Sequence, residues 1–563
     1  MNLADIKYNT YDAIVIGSGI TGGWAAKELC ERGLKTLLLE RGRDVKHVVD
    51  YPTANLNPWD FKYRLNNTEK EIEATPLRAS ISDEDDRMFY VNDNEQPYIE
   101  EKPFKWIRGY QVGGRSLLWG RQCYRLSNLD FEANLKDGNG VDWPIRYEDL
   151  APWYDHVERF IGVSGSCQNL PHLPDGIFLP PMELNCIEKH LAESIKKDDE
   201  RRLLMIARVA NLTRGWNGRG PCQYRNLCTR GCPFGGYFSS NSATIPAAAA
   251  TGNLTLRPFS IVKEIIYDDV TQKAKGVRVI DMNTLEEMEF YAKVIFLNAS
   301  TIASTSILLN SVSARFPNGL GNDSGELGHN LMDHHSSSGA MGIHEGYTDR
   351  YYKGRRPAGF LIPRYRNLKG NEGLEFLRGY NIQGKGEREN WKDKIGSLKG
   401  FGSNFKEELT KPGPWAVWMA GWGECLPDFN NKISLDLIEK DRYGLPLIRI
   451  NFSFGENEKL MMKDIRKTAG EMLIQAGFKN VDTFTYNKPG GDTVHEMGTA
   501  RMGRDPKTSV LNGFNQVHAV KNVFVTDGSC MTSSGCQNPS LTYMALTARA
   551  CAYAVAEIKS GSL

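Results

Sequence analysis

Three cysteines are the most concentrated chemistry in the sequence. In GPCQYRNLCTRGCPFGG, Cys222, Cys228 and Cys232 follow a C-x5-C-x3-C spacing. Gly220, Gly231 and Gly235 allow tight turns and Pro221 and Pro233 restrict the ends, so three sulfurs fall within one short loop. Clustered thiolates bind soft metals or iron-sulfur clusters. A pair of them can instead form a disulfide, and a fourth ligand from elsewhere would make a zinc site. The rest of the eleven cysteines are scattered, which is not the pattern of a secreted disulfide framework. A second centre is His495, in VHEMGTARMG, because imidazole exchanges protons near neutral pH. HEMGT is not a zinc-binding HExxH, since no histidine follows at the fifth position. Asn538, in CQNPSLT, offers an amide that can hold an oxygen atom but cannot act as a base.

The elements that must position these groups begin at the N-terminus. YDAIVI, Tyr11 to Ile16, is a short apolar run, followed by GSGITGG and the helix-compatible WAAKELCERG: strand, glycine turn, helix. Gly17 allows the turn, Gly19 lets the backbone approach a pyrophosphate, and Gly22 lets helix and strand pack closely. A second strand, Thr36 to Leu39, ends in Glu40, where an acid accepts hydrogen bonds from an adenosine ribose. This unit alone does not separate FAD from NAD.

A chain of 563 residues exceeds what one growing core supports, so two joined domains with a cleft between them are expected. Apolar residues make up 40% and charged residues 24%, and a net charge of +1 provides no field for polyanions, which argues against nucleic acid as a partner. Met1 to Thr10 lacks the apolar core of a signal peptide, and no apolar run approaches the ~20 residues that span a bilayer.

Further segments recur in order: RGYQVGGRSLLWG (108–120), VIFLNASTIASTSILLNS (294–311), GHNLMDH (328–334), HEMGTARMG and VTDGSCMTSSGCQNPSLTYMALTARA. Together they resemble the glucose-methanol-choline (GMC) oxidoreductase family over about Asp12 to Val555. The resemblance implies an α/β FAD-binding Rossmann-like domain and a discontinuous α+β substrate domain on an antiparallel sheet. The expected FAD-binding parts are 1–54, 104–165, 215–326 and 486–563, and the substrate side is 55–103, 166–214 and 327–485. FAD would be held by Gly17, Ser18, Gly19, Ile20, Thr21, Gly22, Glu40 and Arg41, by Gly113, Gly114, Ser116, Leu118 and Trp119, by Val262 at the adenine, and by Asp527, Gly528, Pro539 and Ser540. Pyranose oxidase-like relatives carry a flavin-linked histidine where this chain has Leu118, so non-covalent FAD is expected. His495 matches the family's catalytic base and Asn538 its second partner, suited to holding the substrate oxygen.

The cysteine loop resembles that of membrane-linked bacterial sugar dehydrogenases in this family, which implies a 3Fe-4S cluster on Cys222, Cys228 and Cys232. Electrons would then leave FAD singly, toward a cytochrome c or quinone-linked acceptor, rather than as a pair to oxygen. The expected substrate is a sugar or glycoside hydroxyl, with glucoside C3 preferred. The alternatives are aldose or gluconate oxidation, or an oxygen-using sugar oxidase with a structural cysteine loop. Residence in the periplasm or at a membrane through a small export or chaperone subunit is expected, against a cytoplasmic reading of this chain alone. Trp415, Trp418 and Trp422 alternate as strand residues do and suit either a sheet core or sugar-ring faces, and KDRYG reads as a hairpin turn.

Overall fold

The computed structural model describes residues 9–62, 84, 86–350, 357–370, 373–389, 394 and 398–563. Met1 to Tyr8 and part of the 55–103 substrate segment expected from the sequence (63–83 and 85) lie outside the described residues. The chain opens with β1 (Thr10–Ile16), α1 (Ile20–Glu31) and β2 (Thr36–Leu39). It returns to the same sheet with β3 (Leu254–Arg257), β4 (Ser260–Asp268), β5 (Lys273–Asp281) and β6 (Glu287–Leu297), followed by α2 (Thr301–Asn310). Next come β7 (Ser338–His344), β8 (Phe360–Ile362), β9 (Tyr380–Arg388) and β10 (Trp415–Gly423), then the hairpin β11 (Lys432–Lys440) and β12 (Pro446–Asn451). After α3 (Glu456–Gln475) and β13 (Lys479–Thr485), β14 (Val523–Val525) and α4 (Ser540–Ser560) finish the chain.

The first sheet has the order β3-β2-β1-β6-β5-β4, with β14 also beside β6. Its parallel centre is covered on both faces, which explains why YDAIVI is a continuous apolar run rather than an alternating one. Val15, Leu38, Phe296 and Phe524 pack with Ala25, Ala26 and Leu29 of α1 and Ala550 and Ala554 of α4. Ile14, Ile16, Leu37, Leu39, Ile295 and Leu297 belong to the core on the other side. The final helix, some 500 residues distant in sequence, is thus part of the first nucleotide-binding layer.

The second sheet has the order β13-β7-β10-β9-β8, extended by a short strand at Met205–Ile206. Helix α3 covers one face, where Met461, Ile465, Met472 and Leu473 meet Ala340, Ile382, Val417 and Met419. Gly421 makes this contact close: a β-carbon there would stand 2.5 Å from Ile465 Cδ1. Trp415 is buried in the same cluster, whereas Trp418 and Trp422 have the opposite parity along β10 and are only half-buried. The three tryptophans therefore divide, one to the core and two to the face away from α3.

The KDRYG segment forms the turn between β11 and β12, as the sequence indicates. The hairpin pairs through β12 with Ile99–Glu100, and Asp441 and Leu445–Ile448 line the same cleft as Glu40 and Gly19. Tyr90, Gln96 and Pro97 line it too. Parts of 55–103 and 327–485, expected on the substrate side, accordingly also build the wall of the nucleotide cleft.

Candidate active site

One cleft runs from the carboxyl ends of β1 and β2 to His495 and Asn538. At its near end Gly17 has φ of 93°, and a β-carbon on Gly22 would lie 1.7 Å from Gly17 O, so the β1-to-α1 turn requires both glycines. Gly19, the N-cap residue of α1, has open space where a side chain would be and so offers no side-chain cap. The first-turn amides, including those of Ile20 and Thr21, are left for an anion. Glu40 is buried; its Oε2 accepts from Ser18 N at 3.1 Å and Ser18 Oγ at 2.6 Å, and its Oε1 from Gly42 N at 2.9 Å. Burial pushes this carboxyl up, and these donors oppose the shift. Arg41 beside it lies 4.7 Å from the Tyr110 ring and donates to Gln96 at 2.7 Å and Asp441 at 3.3 Å.

Gly114, Ser116, Leu118, Trp119, Val262, Asp527, Gly528, Pro539 and Ser540 all line the cleft. Gly22 and Gly113 do not: they act one layer behind, as packing positions. A β-carbon on Gly113 would lie 1.6 Å from Asn241 Oδ1, and Gly113 N donates to Ser18 Oγ at 3.0 Å. Gly114 itself passes so close to Gly19 that a β-carbon would stand 3.3 Å from its Cα. Asn241, Asn298 and Ser304, whose hydroxyl donates to Asp527 Oδ2, shape this end without any motif that marks them in the sequence. A helix start free of caps, a buried ribose acceptor and glycines at each close approach fit a dinucleotide. Gly17 to Thr21 would hold its pyrophosphate, Glu40 its ribose and Val262 its adenine.

At the far end His495 Nε2 lies 3.5 Å from Asn538 Nδ2, and His495 Nδ1 lies 2.9 Å from His334 Nδ1. His334 Nε2 is 2.7 Å from Gly535 O. A carbonyl only accepts, so His334 carries its proton on Nε2 and accepts at Nδ1. His495 must therefore donate from Nδ1, which leaves Nε2 with a free lone pair. Burial holds His334 down to about 4, and burial, then the charges of His334 and Arg115, hold His495 well below the usual histidine range. Both rings are neutral at neutral pH, the state in which His495 Nε2 can receive a proton.

The segment carrying His495 is strained and tied down. Val494 has φ of 56° and Thr499 of 79°, left-handed values that cost β-branched residues on the order of 1–3 kcal/mol each. Asp333 accepts from Gly491 N at 2.8 Å, His495 N at 3.2 Å and the Thr493 hydroxyl. Glu496 pairs with Arg115 at 2.8 Å. Asp333 and His334 both come from GHNLMDH, a segment quoted for its resemblance but given no role from the sequence.

Cys222, Cys228 and Cys232 are part-buried and free, so the disulfide alternative is not formed. Cys222 Sγ accepts from Tyr224 N at 3.4 Å and Cys232 Sγ from Gly236 N at 3.3 Å. Burial first, then the neighbouring Cys228 and Cys232, push the Cys222 thiol up to about 11. Among the described residues, no group of three His, Cys, Asp or Glu side chains is arranged to hold a metal ion. The donor chemistry suits a soft metal, and the three sulfurs share one loop without being drawn together as a ligand set. The loop lies directly behind the cleft: Gly231 packs on the Tyr51 ring, and Tyr237, beside Cys228 and Cys232, donates to Leu117 O at 2.7 Å next to Leu118.

A nucleotide cleft ending at a neutral histidine and an amide defines a redox enzyme acting on hydroxyl groups. The chain belongs to the GMC oxidoreductase family, whose N-terminal and C-terminal family models match residues 11–336 and 427–547. FAD is the cofactor of this family, and the chain is an oxidoreductase acting on CH-OH groups. The 2-methyl-1,2-propanediol dehydrogenase of Mycolicibacterium austroafricanum is 28% identical over 96% of this chain and 94% of that protein. The fructose dehydrogenase large subunit of Gluconobacter japonicus is 25% identical over 98% of each. In fold, pyridoxine 4-oxidase from Mesorbium loti matches with a TM-score of 0.61 over 96% of this chain and 98% of that one, at 14% identity.

Proposed function

We propose that this chain is the catalytic subunit of a sugar dehydrogenase, with a glucoside ring hydroxyl at C3 as the preferred site of oxidation. The observation that carries the chemistry is the fixed tautomer of His495, whose Nε2 lone pair faces Asn538. In this reading His495 Nε2 takes the hydroxyl proton and Asn538 donates a hydrogen bond to the oxygen as charge develops on it. Bound FAD supplies the acceptor for the hydride from the alcohol carbon. Arg115, Glu496 and Asp333 hold the His495 segment so that the base does not drift from the hydroxyl. FAD is held non-covalently, since Leu118 offers no nucleophile; acid precipitation should release all the flavin into the supernatant.

The sugar reading is supported by two half-buried indoles, Trp418 and Trp422, on the sheet face that also carries Gln383, which bonds to Asn538. Flat apolar ring faces of a pyranose stack well on such surfaces. One relative's name, a diol dehydrogenase, marks the second substrate class to include in any trial. A panel of methyl glucosides, aldoses, gluconate, fructose and 2-methyl-1,2-propanediol, read by dye reduction and product analysis, separates them. Glucosides oxidised at C3 are the expected outcome, and activity confined to the diol would replace the sugar reading.

Cys222, Cys228 and Cys232 are proposed to hold a 3Fe-4S cluster once metal draws the sulfurs together. Support comes from three free thiols on one loop, two of them already accepting backbone N–H groups, set against the wall of the cleft. The enzyme would then serve a cytochrome c or similar acceptor. A small partner subunit would bring the chain to the periplasm or membrane, testable by expressing it with and without that subunit. Iron and acid-labile sulfide analysis with EPR of anaerobically prepared, flavin-replete protein decides the cluster. About three irons per chain are expected, and the absence of both iron and sulfide would falsify it.

A further inference from the structure

We propose that Gln383 is a positioning residue for Asn538, holding that amide with its nitrogen turned toward His495 and the substrate hydroxyl. The proposal rests on the roles given above to His495 and Asn538. Gln383, on β9, donates from Nε2 to Asn538 Oδ1 at 2.7 Å and to Asn381 Oδ1 at 3.1 Å. Asn381 Nδ2 in turn donates to the backbone carbonyl of Cys536. Because a carbonyl only accepts, the direction of the whole series is fixed from that end. Asn381 must present its oxygen to Gln383, Gln383 its nitrogen to Asn538, and Asn538 is left with only N–H groups for the cleft.

The same logic fixes the other half of the pair. Gly535 O sets His334, and His334 sets His495, so Nε2 of His495 faces Asn538 without a proton. Two relays anchored at consecutive backbone carbonyls, Gly535 and Cys536, thus converge with opposite outcomes, one acceptor and one donor. A hydroxyl between them gives its proton to His495 while its oxygen accepts from Asn538. With the Asn538 amide reversed, both groups would accept and the oxygen would have no donor. No motif marks Gln383. It reaches Asn538 only because β9 pairs with β10 in the register that sets Gln383 opposite Ala420, on the face away from α3.

The Nε2 nitrogen of His495 reads the amide without any substrate, because only an Asn538 N–H turned toward it can donate to its lone pair. Gln383→Glu, at alkaline pH where the introduced carboxyl is ionised, leaves only acceptors toward Asn538, so the amide must turn its oxygen to His495. Nitrogen-15 spectra of ring-labelled holoenzyme, with His495 found by difference against His495→Gln, should show the neutral Nδ1–H form in the native enzyme. In the Gln383→Glu variant the ring should keep its Nδ1–H, held by His334, while the Nε2 signal moves downfield because Asn538 no longer donates to it. The titratable and charged groups around the ring are His334, neutral at this pH, Arg115 with Glu496, and Asp333 at its backbone, and the substitution alters none of them. A second measurement uses methyl β-D-glucopyranoside in anaerobic flavin reduction. Gln383→Leu should slow it roughly tenfold to a hundredfold, and by less than about twofold when Asn538 is already alanine. An unchanged His495 signal, or losses that add in full in the double variant, would overturn the proposal. Failure of the glycoside to reduce the native enzyme would count against the substrate reading alone, since the spectra still decide Gln383.

Discussion

Two neighbouring histidines, His334 and His335, link the site to the stability of the protein. An unfolded histidine takes a proton near pH 6.5, whereas burial holds His334 down to about 4 and His335, aided by the charge of His334, down to about 3. Their neutral state is fully stabilising above about pH 6.5, and that stability is lost as pH falls toward about 4 for His334 and about 3 for His335, by up to a few kcal/mol for each ring. Thermal midpoints should therefore drop steeply over this window. Among the described residues His335 finds no protein partner for either ring nitrogen, and it packs beside Phe454 and Gly423, so His335→Phe should flatten the slope, measured as melting temperature against pH. An equal slope in that variant would remove His335 from the account. His334→Leu should slow flavin reduction on the order of a hundredfold, because His495 is then free to carry its proton on Nε2. At this scale the sequence was partly legible. His495, Asn538, Glu40 and the glycine turn lie in local motifs with one chemical use each. Asp333, His334 and Gln383 act on His495 and Asn538 across 155 to 162 positions, and spacing along the chain carries no trace of that.

Secondary-structure elements carry the cofactor end. The β1-α1-β2 unit is readable because strand, turn and helix are contiguous and each is dictated by local sterics. The hairpin of β11 and β12 is equally readable as a hairpin, but not as a wall of the nucleotide cleft, since that depends on β12 pairing with Ile99–Glu100. Its turn reaches Arg41: Asp441 accepts from the guanidinium at 3.3 Å and the Tyr443 ring lies 5.5 Å from it, opposite Tyr110. The turn thereby acts as a clasp at the end of the cleft where Glu40 and Arg41 lie. The double substitution Asp441→Ala, Tyr443→Ala should speed FAD release severalfold, given that two modest contacts of about 0.5–1 kcal/mol each are removed. Recovery of free-flavin fluorescence after dilution measures this directly. Unaltered release would show that the hairpin covers the cleft without holding its contents. The tryptophans of β10 show the limit of periodicity: read from the sequence as one set, they are divided by α3, packed through Gly421, which puts Trp415 in the core and leaves Trp418 and Trp422 on the other face.

Across the whole molecule, the first sheet, the β11–β12 hairpin and loops from both ends of the chain line one cleft. Segments near Gly19, Gly114, Val262, His495 and Asn538 converge there, which is why no single motif distinguished FAD from other dinucleotides and the ordered set did. The cysteine loop lies behind the same cleft through Tyr51, Tyr237 and Leu117, where the proposed cluster would take electrons from the cofactor site. Dye reduction should accordingly far outpace peroxide formation in air, and equal rates would favour an oxygen-using enzyme. The central claim is that His495 serves as the base for alcohol oxidation by bound FAD. Anaerobic mixing of the purified enzyme with the polyol panel, followed by flavin absorbance, tests it most directly. Bleaching by at least one polyol is predicted, slowed roughly a hundredfold to ten-thousandfold in His495→Ala with FAD content unchanged. Bleaching at the native rate in that variant would contradict the account.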